Sequence, residues 1–398
     1  MNGRLLTLAA THGATDFYQG SVAVLVPVLV FQAGFSAMQA TLVVLAATMG
    51  SAVAQPLFGL LADRYRTFWL LPASMLLAGA GIGVLGLTDS FGAALGAAGA
   101  SGLGVAAYHP VAASLARDIG GGTARSMSWF IAGGNIGLAV APAIAAPILL
   151  AFGPHATPLL AVPGVLGGIA VFAARRWLAG TPATGRGAAR QSTERRNDWP
   201  SFSWLAVIAI LRSGAYFGIS TFVVLLVVRE LGHSQGLGAT LLGVFLTVGV
   251  VATLAGGVIA DRWRRVTCIR IGFALTLPGL VILALAPTVA IATVGVVIAG
   301  FGVFLPFSVQ TTLGHEYLPH HIGTASGVTI GLSVSAGGAF APLLGLIAEG
   351  HGPRYALLTL AALPVLALLI SLRLPEQGRP GARGSAHRDQ VRAAAPPR

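Results

Sequence analysis

The chain has 398 residues, of which 55% are hydrophobic and only 9% charged, with a formal net charge of +12. A soluble domain carries about 25% charged residues, so an ordinary water-soluble globule is excluded. The apolar runs are continuous rather than alternating, which excludes a β-barrel and leaves an all-α membrane protein.

The runs predict twelve spans, at 5–32, 38–62, 67–87, 91–117, 126–150, 157–177, 202–229, 237–261, 267–286, 289–317, 323–348 and 354–374. The first is read as a span and not as a cleaved leader, because His12 and Asp16 interrupt it early. Residues 178–200 form a polar linker with Arg186, Arg190, Arg195 and Arg196, and 376–398 is a Pro- and Arg-rich tail expected to be disordered. That leaves two units, 1–177 and 201–375.

All 24 basic residues are arginine. Nucleic-acid binding is one reading of the charge, but the arginines gather in alternate loops, as in a membrane protein whose basic loops are cytoplasmic. Arg64, Arg66, Arg117, Arg125, the linker cluster and the 262–270 loop lie on one side, with only Arg229 and Arg354 on the other. Both termini are therefore expected in the cytoplasm, in a bacterial-type inner membrane. Cys268 stands alone and reads as a core residue.

A repeat organises the chain. Gly59-Leu60-Leu61-Ala62-Asp63-Arg64 returns half a chain later as Gly257-Val258-Ile259-Ala260-Asp261-Arg262. Gly102-Leu103-Gly104 likewise matches Gly300-Phe301-Gly302, and Ala141-Pro142 matches Ala341-Pro342. Two parallel six-helix halves about an axis along the membrane normal, with a site between them, is one plan of secondary transporters.

The Asp-Arg loop motif resembles the signature of the major facilitator superfamily. More narrowly, the chain resembles the fosmidomycin resistance protein branch. The matching residues are His12-x-x-x-Asp16 with Gln19-Gly20, Gln55-Pro56-Leu57-Phe58-Gly59, Tyr108-His109-Pro110, Gly133-Gly134-Asn135-x-Gly137 and Arg212-Ser213. The resemblance implies the major facilitator fold and a transporter, not an enzyme. Two positions depart from it. Val111 stands where family members carry an acid, and Ala141 stands where the exporter signature has Gly.

The candidate site residues follow from burial of charge. An ionisable side chain inside a membrane is costly and marks function by default. His12 and Asp16 are four apart on one helical face, and Asp16 is roughly 16 Å into its span. Both are expected to exchange protons. Arg212 lies at the corresponding depth of the second half, and arginine keeps its proton. It is expected to pair with Asp16 in one state and with an anionic substrate when Asp16 is protonated. A static salt bridge is the plainer reading. Gln19, Tyr108, His109, Asn135, Tyr216 and Gln310 are candidate substrate contacts, or else bonds between helices.

Gly59, Asp63, Arg64, Arg66 and Arg117 form a candidate gate, repeated by Gly257, Asp261, Arg262 and Arg265. Gly59 would let a helix approach closely. Asp63 would face the positive N-terminus of another span, with Arg117 or Arg125 adding an ion pair. The alternative is a solvated turn. His315, Glu316, His320 and His321 suit a solvated loop better than a metal site. No glycine run fits a phosphate loop, so an ion gradient is the expected energy source, with no cofactor and no metal. The function expected is proton-coupled export of a small anionic or amphipathic compound by a monomer. Symport of a metabolite and a non-transporting membrane sensor remain as alternatives.

Overall fold

The computed structural model describes residues 2–31, 34–65, 67–179 and 196–376. Arg66, the linker arginines 186, 190 and 195, and the tail from 377 lie outside the described residues. The described chain is helical throughout. Its long helical stretches are α1 (Gly3–Phe31), α2 (Ala37–Arg64), α3 (Leu70–Leu85), α4 (Phe91–Ile119), α5 (Ala124–Phe152), α6 (Pro154–Ala173), α7 (Trp199–Glu230), α8 (Gln235–Arg262), α9 (Arg265–Leu285), α10 (Val289–Tyr317), α11 (Ile322–His351) and α12 (Pro353–Ser371). Ten of them are long and apolar enough to cross a membrane. Gly3–Phe31 and the shorter apolar helix α3 stand beside those ten. A short helix, Arg175–Ala179, extends into the segment read as linker.

Several helix starts have a local cause. Ser36 caps α2, accepting from Gln39 N at 3.1 Å while the Gln39 side chain accepts from Ser36 N at 2.9 Å. Such a box satisfies two amides that the helix itself leaves unpaired. Ser90 caps α4, Ser234 caps α8 and Thr288 caps α10. Ser234 and Thr288 hold the places of Ser36 and Ser90 in the other half, so the repeat extends to the caps. The packing repeats too. α1 lies along α5, α2 along α4 and α3 along α4, and in the second half α7 lies along α11, α8 along α10 and α9 along α10. Leu57, Leu150, Leu166, Leu346 and Leu369 remain exposed on outer faces, as a lipid solvent allows.

The halves meet where α2 and α4 pack on α11, and where α5 packs on α8 and α10. Gly59 and Gly257 make this possible. A Cβ on Gly59 would strike the Gly323 carbonyl, and one on Gly257 would strike the Ser128 hydroxyl and, at 2.8 Å, the Ala124 carbonyl. The carboxylates then cross over. Asp63 on α2 accepts from Gly323 N at 2.6 Å, Thr324 N at 2.9 Å and the Thr324 hydroxyl at 2.6 Å, all at the start of α11. Asp261 on α8 accepts from Ala124 N and Arg125 N, each at 2.9 Å, at the start of α5. A carboxylate at a helix N-terminus gains about 0.3–1 kcal/mol when exposed and up to ~2 when partly buried.

The charges around these carboxylates differ from expectation. Arg125 serves Asp261 through its backbone amide, and Arg117 lies 3.7 Å from its neighbour Asp118. Arg64 and Arg262, each one residue past the docked acid, are exposed. Arg265 is the cation drawn in, paired with Glu316 and 3.9 Å from Asp261. The stretch read as a solvated loop is packed in part, with His320 exposed. His315 is 1% exposed and bonds the Ser326 hydroxyl at 2.7 Å, and His321 bonds Asn197 at 2.9 Å.

Asp63→Asn and Asp261→Asn keep the shape but remove the charge that receives these amides. In a Cys268→Ser background with one cysteine at Ser51, either change should speed labelling by an impermeant thiol reagent severalfold. The reagent is applied at the end that carries the Asp-Arg turns, and expression should hold. Labelling unaltered in both variants rejects the clamp.

Candidate functional site

Between the halves lies a cavity of about 210 Å³. His12, Asp16, Gln19, Gln55, His109 and Asn135 line it from the first half, and Arg212, Ser213, Tyr216, Phe304 and Phe307 from the second. The fold brings seven of the candidate residues to this one space: His12, Asp16, Gln19, His109, Asn135, Arg212 and Tyr216.

Asp16 is held by two imidazoles. His109 Nε2 lies 3.0 Å from Asp16 Oδ1 and His12 Nε2 lies 3.3 Å from Oδ2. The rings are fixed from behind. His12 Nδ1 bonds the Phe130 carbonyl at 2.8 Å and stacks on the Phe130 ring at 4.2 Å, and His109 Nδ1 bonds the Val105 carbonyl at 2.8 Å. Gly134 on α5 leaves the room for this group, since a Cβ there would strike the Asp16 carboxylate and the His12 ring. The ligand atoms of His12, Asp16 and His109 all lie within 4.8 Å of one another. Atoms so placed need a positive charge among them, supplied by protons or by a cation.

Arg212 does not reach this group. Its Nε donates to Gln310 Oε1 at 3.0 Å, its Nη2 donates to Ser213 Oγ at 3.2 Å, and its guanidinium lies 4.1 Å over the Phe307 ring. It is 2% exposed, and no acidic side chain lies within ion-pair distance of it among the described residues. The expected Asp16–Arg212 pair is absent from this conformation because two histidines occupy the carboxylate and the cavity separates the walls.

Two candidate contacts are corrected. Tyr108 is fully buried behind the site, its hydroxyl bonding Thr11 at 2.8 Å and the Leu8 carbonyl at 3.2 Å. Gln310 is also fully buried and positions Arg212 rather than facing the cavity. Adjacent helical residues point about 100° apart, so His109 can face the cavity only if Tyr108 faces α1. Asn135 faces the cavity and also donates to Thr253 of the other half at 3.3 Å. Gln55, Ser51, Phe304 and Phe307 were missed. Gln55 had a signal, as a polar residue beside Pro56 in an apolar run. The phenylalanines had none, since apolar residues in an apolar helix carry no mark of orientation.

Gln310→Leu would leave a buried guanidinium N–H without its acceptor. Hydrogen bonds to charged groups contribute about 1.5–3 kcal/mol, so the variant should unfold at lower temperature in detergent by a loss of that order. An unchanged melting profile means that Gln310 does not hold Arg212.

The Major Facilitator Superfamily model matches residues 8–342. The chain is 28% identical over 383 residues to the fosmidomycin resistance protein of Escherichia coli (strain K12), covering 94% of this chain and 93% of the relative. Among solved structures it is similar to an E. coli fucose:proton symporter, with TM-score 0.71 and 13% identity over 93% of this chain and 98% of the other. It is similar too to the human organic anion transporter MFSD10, with TM-score 0.72 and 14% identity over 92% and 99%. At these identities the solved structures speak for the fold, and the family match covers most of the chain: this is a multi-pass membrane protein belonging to the Major Facilitator Superfamily.

Proposed function

We propose that this secondary transporter is a proton-coupled antiporter that exports a small anionic or amphipathic compound. The observation that carries the reading is Arg212, buried without an acidic partner across one cavity from the His12–Asp16–His109 group. A buried charge without a counter-ion is costly, so the cavity favours a ligand with an oxyanion. Guanidinium has five N–H donors, and Gln310 and Ser213 take two of Arg212's. Enough remain to grip two oxygens of one oxyanion.

Antiport requires cargo and proton to exclude each other, and binding linkage is reciprocal. A cargo with its oxyanion on Arg212 and a hydrogen-bond donor on Asp16 satisfies this, because the donor takes the place of the proton. The fosmidomycin resistance relative supports the outward direction. A purely anionic cargo would reverse the sign. An added proton on the Asp16 wall raises the positive charge around Arg212 and strengthens anion binding. That arithmetic favours the second reading, a proton symporter importing a small metabolite. A sensor of the same fold would show neither coupling.

The remaining assignments belong to the same reading. There are twelve spans in two six-helix bundles, 1–177 and 201–375, related about an axis along the membrane normal. Both termini lie in the cytoplasm of a bacterial-type plasma membrane, and the protein works as a monomer without a cofactor. The two Asp-Arg turns then close the cytoplasmic side, and the cavity faces outward. Asp63, Asp261, Gly59, Gly257 and Arg265 serve as the gate.

Binding and flux decide among these readings. Purified protein is screened by thermal shift against small carboxylates, phosphonates and antibiotics, and each hit is titrated at two pH values. Weaker binding at the lower pH, with proton-driven export from cells that a protonophore abolishes, is the expected result. Stronger binding at the lower pH with inward flux gives the symporter. Binding without flux in proteoliposomes overturns both in favour of a sensor. Asp16→Asn should remove the pH dependence, and coupling retained in that variant takes Asp16 out of the mechanism.

A further inference from the structure

We propose that His12, Asp16 and His109 form one two-place proton site in which His109 keeps a fixed proton and His12 Nε2 holds the exchanged one. The proposal rests on the proton-coupled reading and adds where the proton resides.

A backbone carbonyl only accepts hydrogen bonds, so each Nδ1 that faces one must carry a hydrogen. The Phe130 carbonyl sets this for His12 and the Val105 carbonyl for His109. When either ring is neutral its Nε2 is therefore a bare lone pair. Both Nε2 atoms face the same carboxylate, and a lone pair against a carboxylate oxygen repels. The 3.0 Å His109–Asp16 contact is a hydrogen bond, so one proton lies within it. The His12 contact, at 3.3 Å, is not, and His12 Nε2 is a buried atom with no hydrogen-bond partner. That vacant nitrogen, on a residue that is 2% exposed, is the second place.

The charge balance follows. With one proton the group is neutral, an imidazolium at His109 against the Asp16 carboxylate. A second proton entering from the cavity bonds to His12 Nε2 and makes the group +1. Leaving by the same route, it restores neutrality. His109 is thus a positioning residue that keeps Asp16 anionic and aimed, which differs from the substrate contact first assigned to it. The other groups facing the site are Tyr108 behind the rings, and Arg212 and Tyr216 across the cavity. From α5 come the Phe130 ring, Gly134 and Asn135, none of which titrates. Gly134 matters because a Cβ there would occupy the place where His12 Nε2 and the Asp16 carboxylate meet.

The test is nitrogen NMR of the full-length protein in nanodiscs, labelled with ¹⁵N-histidine and assigned with His12→Gln and His109→Gln. The wild-type protein itself carries the decisive signal. Both rings should keep Nδ1–H at every pH, and His12 Nε2 should gain a proton as pH falls while His109 stays doubly protonated. A neutral ring with hydrogen only on Nε2, at either position, overturns the proposal. So does titration of His109 before His12. Gly134→Ala should abolish the His12 step and spare His109, and a His12 step that survives counts against the shared site. Signals that move when a chelator is added, or when zinc is added back, place a metal there instead and also overturn it. A failure of proton-coupled flux is read in vesicles and leaves the tautomer pattern untouched, so the two ideas fail separately.

Discussion

A guanidinium taken out of water without an anion beside it constrains the rest of this molecule. Removing an ion from water costs several kcal/mol even after relaxation, and Arg212 has only neutral partners for it. Gln310 and Ser213 accept two of its hydrogens, and the Phe307 ring lies against its face. A cation over an aromatic face gains about 2 kcal/mol when desolvated. These contacts hold the side chain in place without neutralising it. The field therefore reaches into the cavity, and whatever stands on the opposite wall is tuned against it. There Asp16 is already engaged by two histidines, so its negative charge is mostly spent locally.

The two walls occupy matching places in the repeat, His12 opposite Arg212 and Asp16 opposite Tyr216 in register. Scaffold positions kept their chemistry. Caps remain caps at Ser36 and Ser234, and docked acids remain acids at Asp63 and Asp261. The cavity positions diverged. An identical pair of charges on both walls would give two equivalent sites, whereas here one wall carries the acid and two histidines and the other the arginine.

Much of this was legible in the chain because membrane burial makes polar residues conspicuous. His12, Asp16 and Arg212 stand out for that reason, and all three line one cavity. That Asp63 seeks a helix N-terminus was also legible. Which helix it finds was not, since α11 begins some 260 residues later and only tertiary packing decides. Polarity alone does not report orientation either. Tyr108 and His109 are equally polar neighbours, yet one is a buried brace and the other faces the cavity. Arg64 and Asp63 divide in the same way, one exposed and one docked. His315 looked solvated because it lies near the end of an apolar run, but α10 continues to Tyr317 and carries it into the bundle.

The crossed arrangement of the two acids has a kinetic consequence. Each half both gives an acid and receives one, so the contacts are two bonds in parallel between the same two bodies. Tethering of this kind keeps a released partner at millimolar effective concentration or higher. An acid that lets go alone is recaptured before the halves can separate. Separation needs both to be vacant at once, and its rate then falls with the product of two small probabilities. The joint therefore behaves like a latch with two bolts: it swings only when both are withdrawn together, and loss of either one makes that coincidence more frequent.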